Sequence, residues 1–289
     1  MRKGLRVAMA IARRQIHETT ISPAFHIAMT LGLLASSFIV NAFSVSIDTS
    51  GFAPALHPFY DTLARLLGGL FGDAFTAELF AEGPFLFALA CGFLPMALFL
   101  SIGSVFRFGQ EKSAGAIELL CYGPADGTSY LMASFFKDTF LSAVSLVVFT
   151  TFLFVATLVH NLVLGPMFLL ALPVLFFLSL AVFAWGILCA TLVPSAASAM
   201  ALFLCTQSAF IFVLIASFSI ASQTVRTAAT AVAALLKWFS PFFYSSIYFG
   251  AARGGNPAGI LGGIGLLLVL TAVLLVASST LMKQRGTRA

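Results

Sequence analysis

The chain has 289 residues, of which 60% are hydrophobic and 9% are charged, and its formal net charge is +5. Soluble domains carry about a quarter charged residues, so this composition excludes an ordinary soluble protein and indicates an all-α polytopic membrane protein of about six spans, at about 20 residues per span. The basic residues gather at the two ends of the chain, as membrane anchors do, so no nucleic-acid partner is expected.

The chemistry of an enzyme is missing from the sequence. Cys91, Cys121, Cys189 and Cys205 are scattered with no CxxC pair, so neither a disulfide nor a metal site is expected. The sequence contains no GxxxxGK[ST] phosphate loop and no HExxH metal motif. We therefore expect no catalytic residues and no cofactor in this chain.

Residues 2–20 have the pattern of an amphipathic helix that lies in the plane of the membrane surface. Its expected apolar face comprises Leu5, Met9, Ala12 and Ile16. Its expected contacts with anionic lipid headgroups are Arg2, Arg6, Arg13 and Arg14. The dipeptide Ser22-Pro23 should end this helix and turn the chain into the bilayer.

The first two spans are predicted at 24–43 and 85–106. The loop between them, 43–84, contains five carboxylates and Arg65 as its one basic residue, a net charge of −4. Because loops poor in lysine and arginine lie outside, this loop should be external.

Residues 139–225 contain no Asp, Glu, Lys or Arg. A single helix of this length would be about 130 Å long, against a hydrocarbon core of about 30 Å, so it must fold back. Breaks at 160–166 and 193–198 give spans at 139–159, 167–192 and 197–219. Lys137 and Asp138 then precede the third span, and no span carries a buried charge in its middle.

The segment 226–256 is ambiguous. It contains Arg226, Lys237 and Arg253 around an aromatic run with Pro241, and we expect it to be external or re-entrant. The last span is predicted at 257–282, and basic residues follow it. The protein should then lie in the inner membrane of the cell, with both termini on the cytoplasmic side. A GxxxG motif at 259–263 indicates close helix packing, within one subunit rather than between two.

The loop 107–138 is unusual because it concentrates charge between two apolar spans. Glu111 and Glu118 share one side of a predicted helix over 111–121, with apolar residues opposite, and Gly123-Pro124 should end it. The residues from Asp126 to Ser129 offer an N-cap for the next helix, which leads through Lys137 and Asp138 to the third span. On these grounds alone the loop is either a solvated hairpin or a docking surface.

This loop resembles that of the ABC-2 type transporter permeases, which have a Phe, an acidic-basic pair, a Gly-x-x-Glu core, paired leucines and a Pro after the second span. The matching residues here are Phe108, Glu111, Lys112, Gly115, Ala116, Ile117, Glu118, Leu119, Leu120 and Pro124. The amphipathic helix before the first span, the six spans and the aromatic run before the last span are also similar to that family. Asp126 departs from it, because the family often has a basic residue soon after the Pro.

The resemblance implies one transmembrane permease domain over 1–289. It also implies a separate ABC ATP-binding subunit, which docks on the loop and hydrolyses ATP. The docking residues it implies are Glu111, Lys112, Gly115, Ile117, Glu118, Leu119, Leu120 and Pro124. It also implies a second permease, identical or homologous, and an exporter as the favoured direction.

Two alternatives belong to other classes. One is an ion-coupled or facilitative transporter that acts alone, which the missing buried charges disfavour. The other is a membrane anchor of a larger assembly, such as a motility or secretion machine.

Overall fold

Residues 2–48, 62, 65, 84–115, 126–218 and 236–286 are described by a computed structural model, and within these ranges the chain forms helices and no strand. The helices are α1 (Arg2–Ile21), α2 (Pro23–Asp48), α3 (Pro84–Ser113), α4 (Gly127–His160), α5 (Pro166–Leu192), α6 (Ala196–Phe218), a 3₁₀ turn (Lys237–Phe239), α7 (Pro241–Arg253) and α8 (Pro257–Gly286).

Six of the helices in these ranges, α2 to α6 and α8, are long and apolar enough to cross a membrane. This confirms the predicted all-α polytopic class and the predicted number of spans. Helix α4 begins at Gly127, with Asp126 as its N-cap, so the helix that contains the predicted third span 139–159 starts well before that span.

Proline sets where many of these helices begin. Its fixed φ suits the first turn, and its missing N–H would have no partner there. The helices α2, α3, α5, α7 and α8 begin with Pro23, Pro84, Pro166, Pro241 and Pro257. These positions follow from the sequence because a proline rule is local.

Helix α5 is the centre of the bundle. It packs against α3, α4, α6, α7 and α8. It is also the most buried candidate span, with 67% of its most apolar window inside the structure, whereas no other span exceeds 50%. A helix without charged residues satisfies most of its backbone internally, so polar partners are needed mainly at its two ends and near Pro173, which supplies no N–H.

One end of the bundle gathers most of the charged residues, and we call it the α1 end. Here α1 packs along α4. A Cβ on Gly127 at the start of α4 would lie 2.9 Å from Met282 near the end of α8, and one on Gly109 would lie 2.5 Å from Ala196 at the start of α6. The first and last helices of the chain therefore meet at the same end.

Helix α7 is too short to cross a bilayer and runs antiparallel to the first half of α8. A Cβ on Gly259 would lie 2.6 Å from that of Ala251, and one on Gly263 would lie 2.9 Å from that of Tyr248. The Tyr248 hydroxyl donates to the carbonyl oxygen of Leu170 in α5, at 2.6 Å. The two glycines of the GxxxG motif thus pack inside the subunit.

Two adjacent glycines of α8 allow a test of this packing. We expect Gly263→Ala to lower the thermal stability of the purified protein in detergent, because the new methyl group meets the backbone of Tyr248. We expect Gly262→Ala to leave stability unchanged or raise it by up to about 1 kcal/mol, because nothing lies within 4 Å and alanine favours a helix. Equal effects of the two substitutions would contradict the α7–α8 contact.

Candidate functional site

The ends of α3 and α4 flank the predicted docking loop at the α1 end. Of the predicted docking residues, Glu111, Lys112 and Gly115 lie in the part of the chain that the structure describes. The others lie outside the described residues, and these are Ile117, Glu118, Leu119, Leu120 and Pro124.

The predicted continuous helix over 111–121 is wrong. Glu111 and Lys112 belong to the last turn of α3, which ends at Ser113. Gly115 follows with φ +68°, a left-handed conformation that ends the helix and that glycine adopts without steric cost. The apolar pattern of α3 ends several residues before the helix does, so this pattern did not indicate that the polar tail belongs to α3.

Lys112 caps the end of the central helix. Its ammonium donates to the carbonyl oxygens of Thr191 at 3.1 Å and Val193 at 2.7 Å, and it also lies 3.3 Å from that of Ala190. The last carbonyls of a helix have no partner within it, and a cation is favoured there by the helix dipole. Lys112 therefore ties the end of α3 to the end of α5.

Four charged residues form a chain of ion pairs across the α1 end. Arg107 of α3 contacts Glu111 at 2.9 Å and Glu18 of α1 at 2.6 Å, and Arg14 contacts Glu18 at 2.7 Å. The hydrogen bond from Arg107 lowers the pKa of the Glu18 carboxyl, and the hydrogen bond from Arg14 lowers it further by a smaller amount. The pairs are partly exposed, so each is worth at most about 1 kcal/mol, and the pair of Arg107 with Glu18 links α3 to α1.

The face of α1 that meets the bundle is a row of small residues. Ala8 and Ala12 are buried against Ala133 of α4. A Cβ on Gly4 would lie 3.3 Å from the hydroxyl of Ser129. The predicted apolar face is thus divided, because Ala12 packs on α4 while Leu5 and Met9 are exposed.

The predicted lipid contacts of α1 point away from this small-residue face. Arg6, Arg13 and Arg14 are exposed, and the side chain of Arg2 lies outside the described part. The exposed apolar pair and the exposed cations occupy neighbouring faces of α1, as an interfacial helix requires. Membrane-surface anchoring stays a prediction.

Asp126 starts α4 as its N-cap. Its carboxylate accepts hydrogen bonds from the backbone N–H of Ser129 at 3.0 Å and from the Thr128 hydroxyl at 2.6 Å, and also from the Ser129 hydroxyl. The side-chain hydroxyls of Ser129 and Thr128 lower the pKa of Asp126. The residue that departs from the family pattern thus has a structural role, which the Asp-Gly-Thr-Ser sequence predicted.

Helix α4 contains a buried charged pair whose burial the sequence pattern did not predict. Lys137 and Asp138 are 5% and 1% exposed inside α4, and the Lys137 ammonium lies 3.0 Å from an Asp138 carboxylate oxygen. The same ammonium donates to the Ser104 hydroxyl of α3 at 2.6 Å. The pair stands immediately before the predicted span 139–159, and its burial comes from the packing of α3 against α4, which the local sequence pattern does not record.

Within the described ranges, no three His, Cys, Asp or Glu side chains come together as a metal site. The contacts at the α1 end are mechanical connections between helices. Ion pairs, a helix cap and the close packing of α1 join α1, α3, α4 and α5 near the ends that flank the predicted docking loop.

Comparison with protein-family models, with curated proteins and with solved structures finds no match to this chain.

The cap on α5 leads to a prediction. We expect Lys112→Met to lower the free energy of unfolding by about 1.5–3 kcal/mol, because the apolar stem is kept while charge-assisted hydrogen bonds to the α5 carbonyls are lost. Gln110→Met, at an exposed position in the same turn, is the matched control and should have little effect. Thermal unfolding in detergent measures both, and equal stability of the two variants would contradict the cap.

The buried pair of Lys137 and Asp138 leads to a second prediction for this end of the bundle. We expect Lys137→Met and Asp138→Leu, each alone, to destabilise the protein by about 3–5 kcal/mol, because each leaves one charge buried without its partner. The double variant should recover much of the loss, as measured by thermal unfolding of the purified protein. Additive losses in the double variant would show that the two charges do not interact.

Proposed function

We propose that this chain is the membrane-spanning permease subunit of an ATP-driven transporter of the ABC-2 type, acting as an exporter. Its partners are a separate ABC ATP-binding subunit and a second permease, identical or homologous. ATP hydrolysis takes place on the partner, and this chain is not itself catalytic. The chain lies in the inner membrane with both termini in the cytoplasm.

The observation that carries this proposal is the arrangement at the α1 end. The loop between α3 and α4, where the family resemblance lies, is flanked by helix ends that are joined to α1 and to α5. Arg107 links α3 to Glu18 of α1, and Lys112 links α3 to the end of α5. A push on this loop by a motor subunit would therefore be passed to four helices together.

Transmission of this kind needs rigid connections, because a flexible link would absorb the movement. The buried packing of Ala8 and Ala12 on Ala133 supplies such a connection between α1 and α4, and the Lys112 cap supplies one between α3 and α5. In the proposed cycle, ATP binding closes two motor subunits, the loops move with them, and the helix ends rearrange the path between the two permeases.

A second candidate is an ion-coupled transporter that acts alone. The observation that favours it is the buried pair Lys137 and Asp138, since buried ionisable residues mark ion paths in membrane proteins. In this case a proton or sodium gradient would drive flux without ATP, and Asp138→Asn would abolish that flux.

The proposal is tested by purification in mild detergent with a tag at Ala289. We expect an ATPase with a phosphate-loop motif to co-purify, and Glu118→Lys to remove it, because the substitution replaces the carboxylate proposed to pair with a basic residue of the motor. Val163→Lys is the matched control, since Val163 is 89% exposed and begins the connection to α5 at the opposite end.

Retention of the ATPase by Glu118→Lys would remove Glu118 from the docking surface. A stable chain that purifies alone, without any ATPase, would overturn the proposed function.

A further inference from the structure

Helix α7 begins inside the bundle. Ala251 lies opposite Gly259 and Tyr248 lies opposite Gly263, so α7 and α8 are antiparallel with a fixed register. Continued along α7, this register places Pro241 level with about residue 270, roughly 20 Å along α8 from its first residue. Since a hydrocarbon core is about 30 Å thick, the N-terminus of α7 lies deep in the apolar zone of α8.

The N-terminus of α7 places the positive end of a helix dipole at this depth. Pro241 carries no N–H, and the N–H of Phe243 donates to the carbonyl oxygen of Ser240 at 3.2 Å, so the dipole and the Ser240 side chain are what this end offers an anion. The cap residue Ser240 makes no side-chain hydrogen bond to the helix. Its hydroxyl is fully buried and has no hydrogen-bond partner in the described part of the chain.

A cation precedes this N-terminus by one turn. The Lys237 ammonium lies 5.5 Å from the ring centroids of Trp238 and Phe243, and among the described residues it forms no ion pair with a carboxylate. Aromatic faces attract a cation but do not neutralise it. An ionisable group at membrane depth is costly, which marks it as a functional position.

The approach to this cation is apolar. Trp238 and Phe239 are 57% and 55% exposed on the outside of the bundle. The Tyr244 hydroxyl donates to the carbonyl oxygen of Trp238 at 2.6 Å and so holds the 3₁₀ turn against α7. A ligand that reaches Lys237 past these rings needs an apolar part.

We propose that the N-terminus of α7 and Lys237 bind the anionic headgroup, a phosphate or a carboxylate, of an acyl-chain amphiphile. The positive helix end, the ammonium and the Ser240 hydroxyl supply three kinds of interaction with an anion. The acyl chain lies along Trp238 and Phe239. That this amphiphile is the transported cargo rests on the proposed function, whereas its binding does not.

The chain contains two tryptophans, Trp185 and Trp238, so Trp185→Phe leaves Trp238 as a fluorescent reporter beside Lys237. The protein is placed in phosphatidylcholine nanodiscs that contain either brominated phosphatidic acid or brominated phosphatidylcholine. We expect half-maximal quenching of Trp238 at a roughly tenfold lower mole fraction of the acidic lipid, because one charge-assisted contact has about that effect.

Substitutions then locate the site. Lys237→Gln should remove the preference for the acidic lipid, and Lys237→Arg should keep it. Arg253→Gln, at the other end of α7, is the matched control and should also keep it. Equal quenching by the two brominated lipids in the Trp185→Phe protein, or a preference that persists in Lys237→Gln, would overturn the proposal. The first comparison needs no change at Lys237 and so does not depend on the folding of that variant.

Inorganic phosphate distinguishes the source of the anion. Added at excess to the same nanodiscs, it should leave the preference unchanged if the site is reached from the membrane. Loss of the preference would show a site for a water-borne anion and would overturn the amphiphile. The experiment uses the chain without any ATPase, so its outcome is separate from that of the docking experiment.

Discussion

The contact between the Lys112 ammonium and the carbonyls at the end of α5 is the interaction on which the arrangement of the bundle depends. Helix α5 has no charged residue and is surrounded by five other helices, so its end is held by a side chain from a neighbour. Because Lys112 stands in the last turn of α3, the cap also sets where α3 ends relative to α5. The loop that follows α3 therefore begins from a fixed point.

The rest of the α1 end is organised around the same helix end. Arg107 stands about one turn before Lys112 and is paired with Glu18, so α1 is attached to the helix that caps α5. Small residues let α1 approach α4 closely, as they do between membrane helices in general. Individually weak ion pairs thus act on helices whose separation is already fixed by packing.

The opposite part of the bundle follows a different principle. There α7 begins within the depth of α8, and its N-terminus is accompanied by a lysine held between aromatic rings. Interrupted helices are a common way for membrane proteins to present backbone N–H groups to an anion inside the bilayer. Two of the lysines that the structure describes thus lie at helix ends: Lys112 caps the end of α5, and Lys237 lies one turn before the start of α7.

The sequence by itself determined the class of the protein, the six spans and most helix starts. These depend on local chemistry: runs of apolar residues, prolines at first turns, and Asp126 as a cap. It also predicted that α1 would carry its exposed cations on one side. The docking role of Glu118 and its neighbours stays a prediction, because those residues lie outside the described part of the chain.

Only the tertiary structure decided which helices these residues join. The partner of Lys112 is a backbone about 80 residues away, and the partner of Arg107 lies on α1; no local pattern records either contact. The burial of Lys137 and Asp138 depends on α3 supplying Ser104 beside them. Packing also decided that Ala12 faces α4 and that α7 begins level with the middle of α8. A helix can pack through more than one of its faces, and the neighbouring helices determine which face is buried.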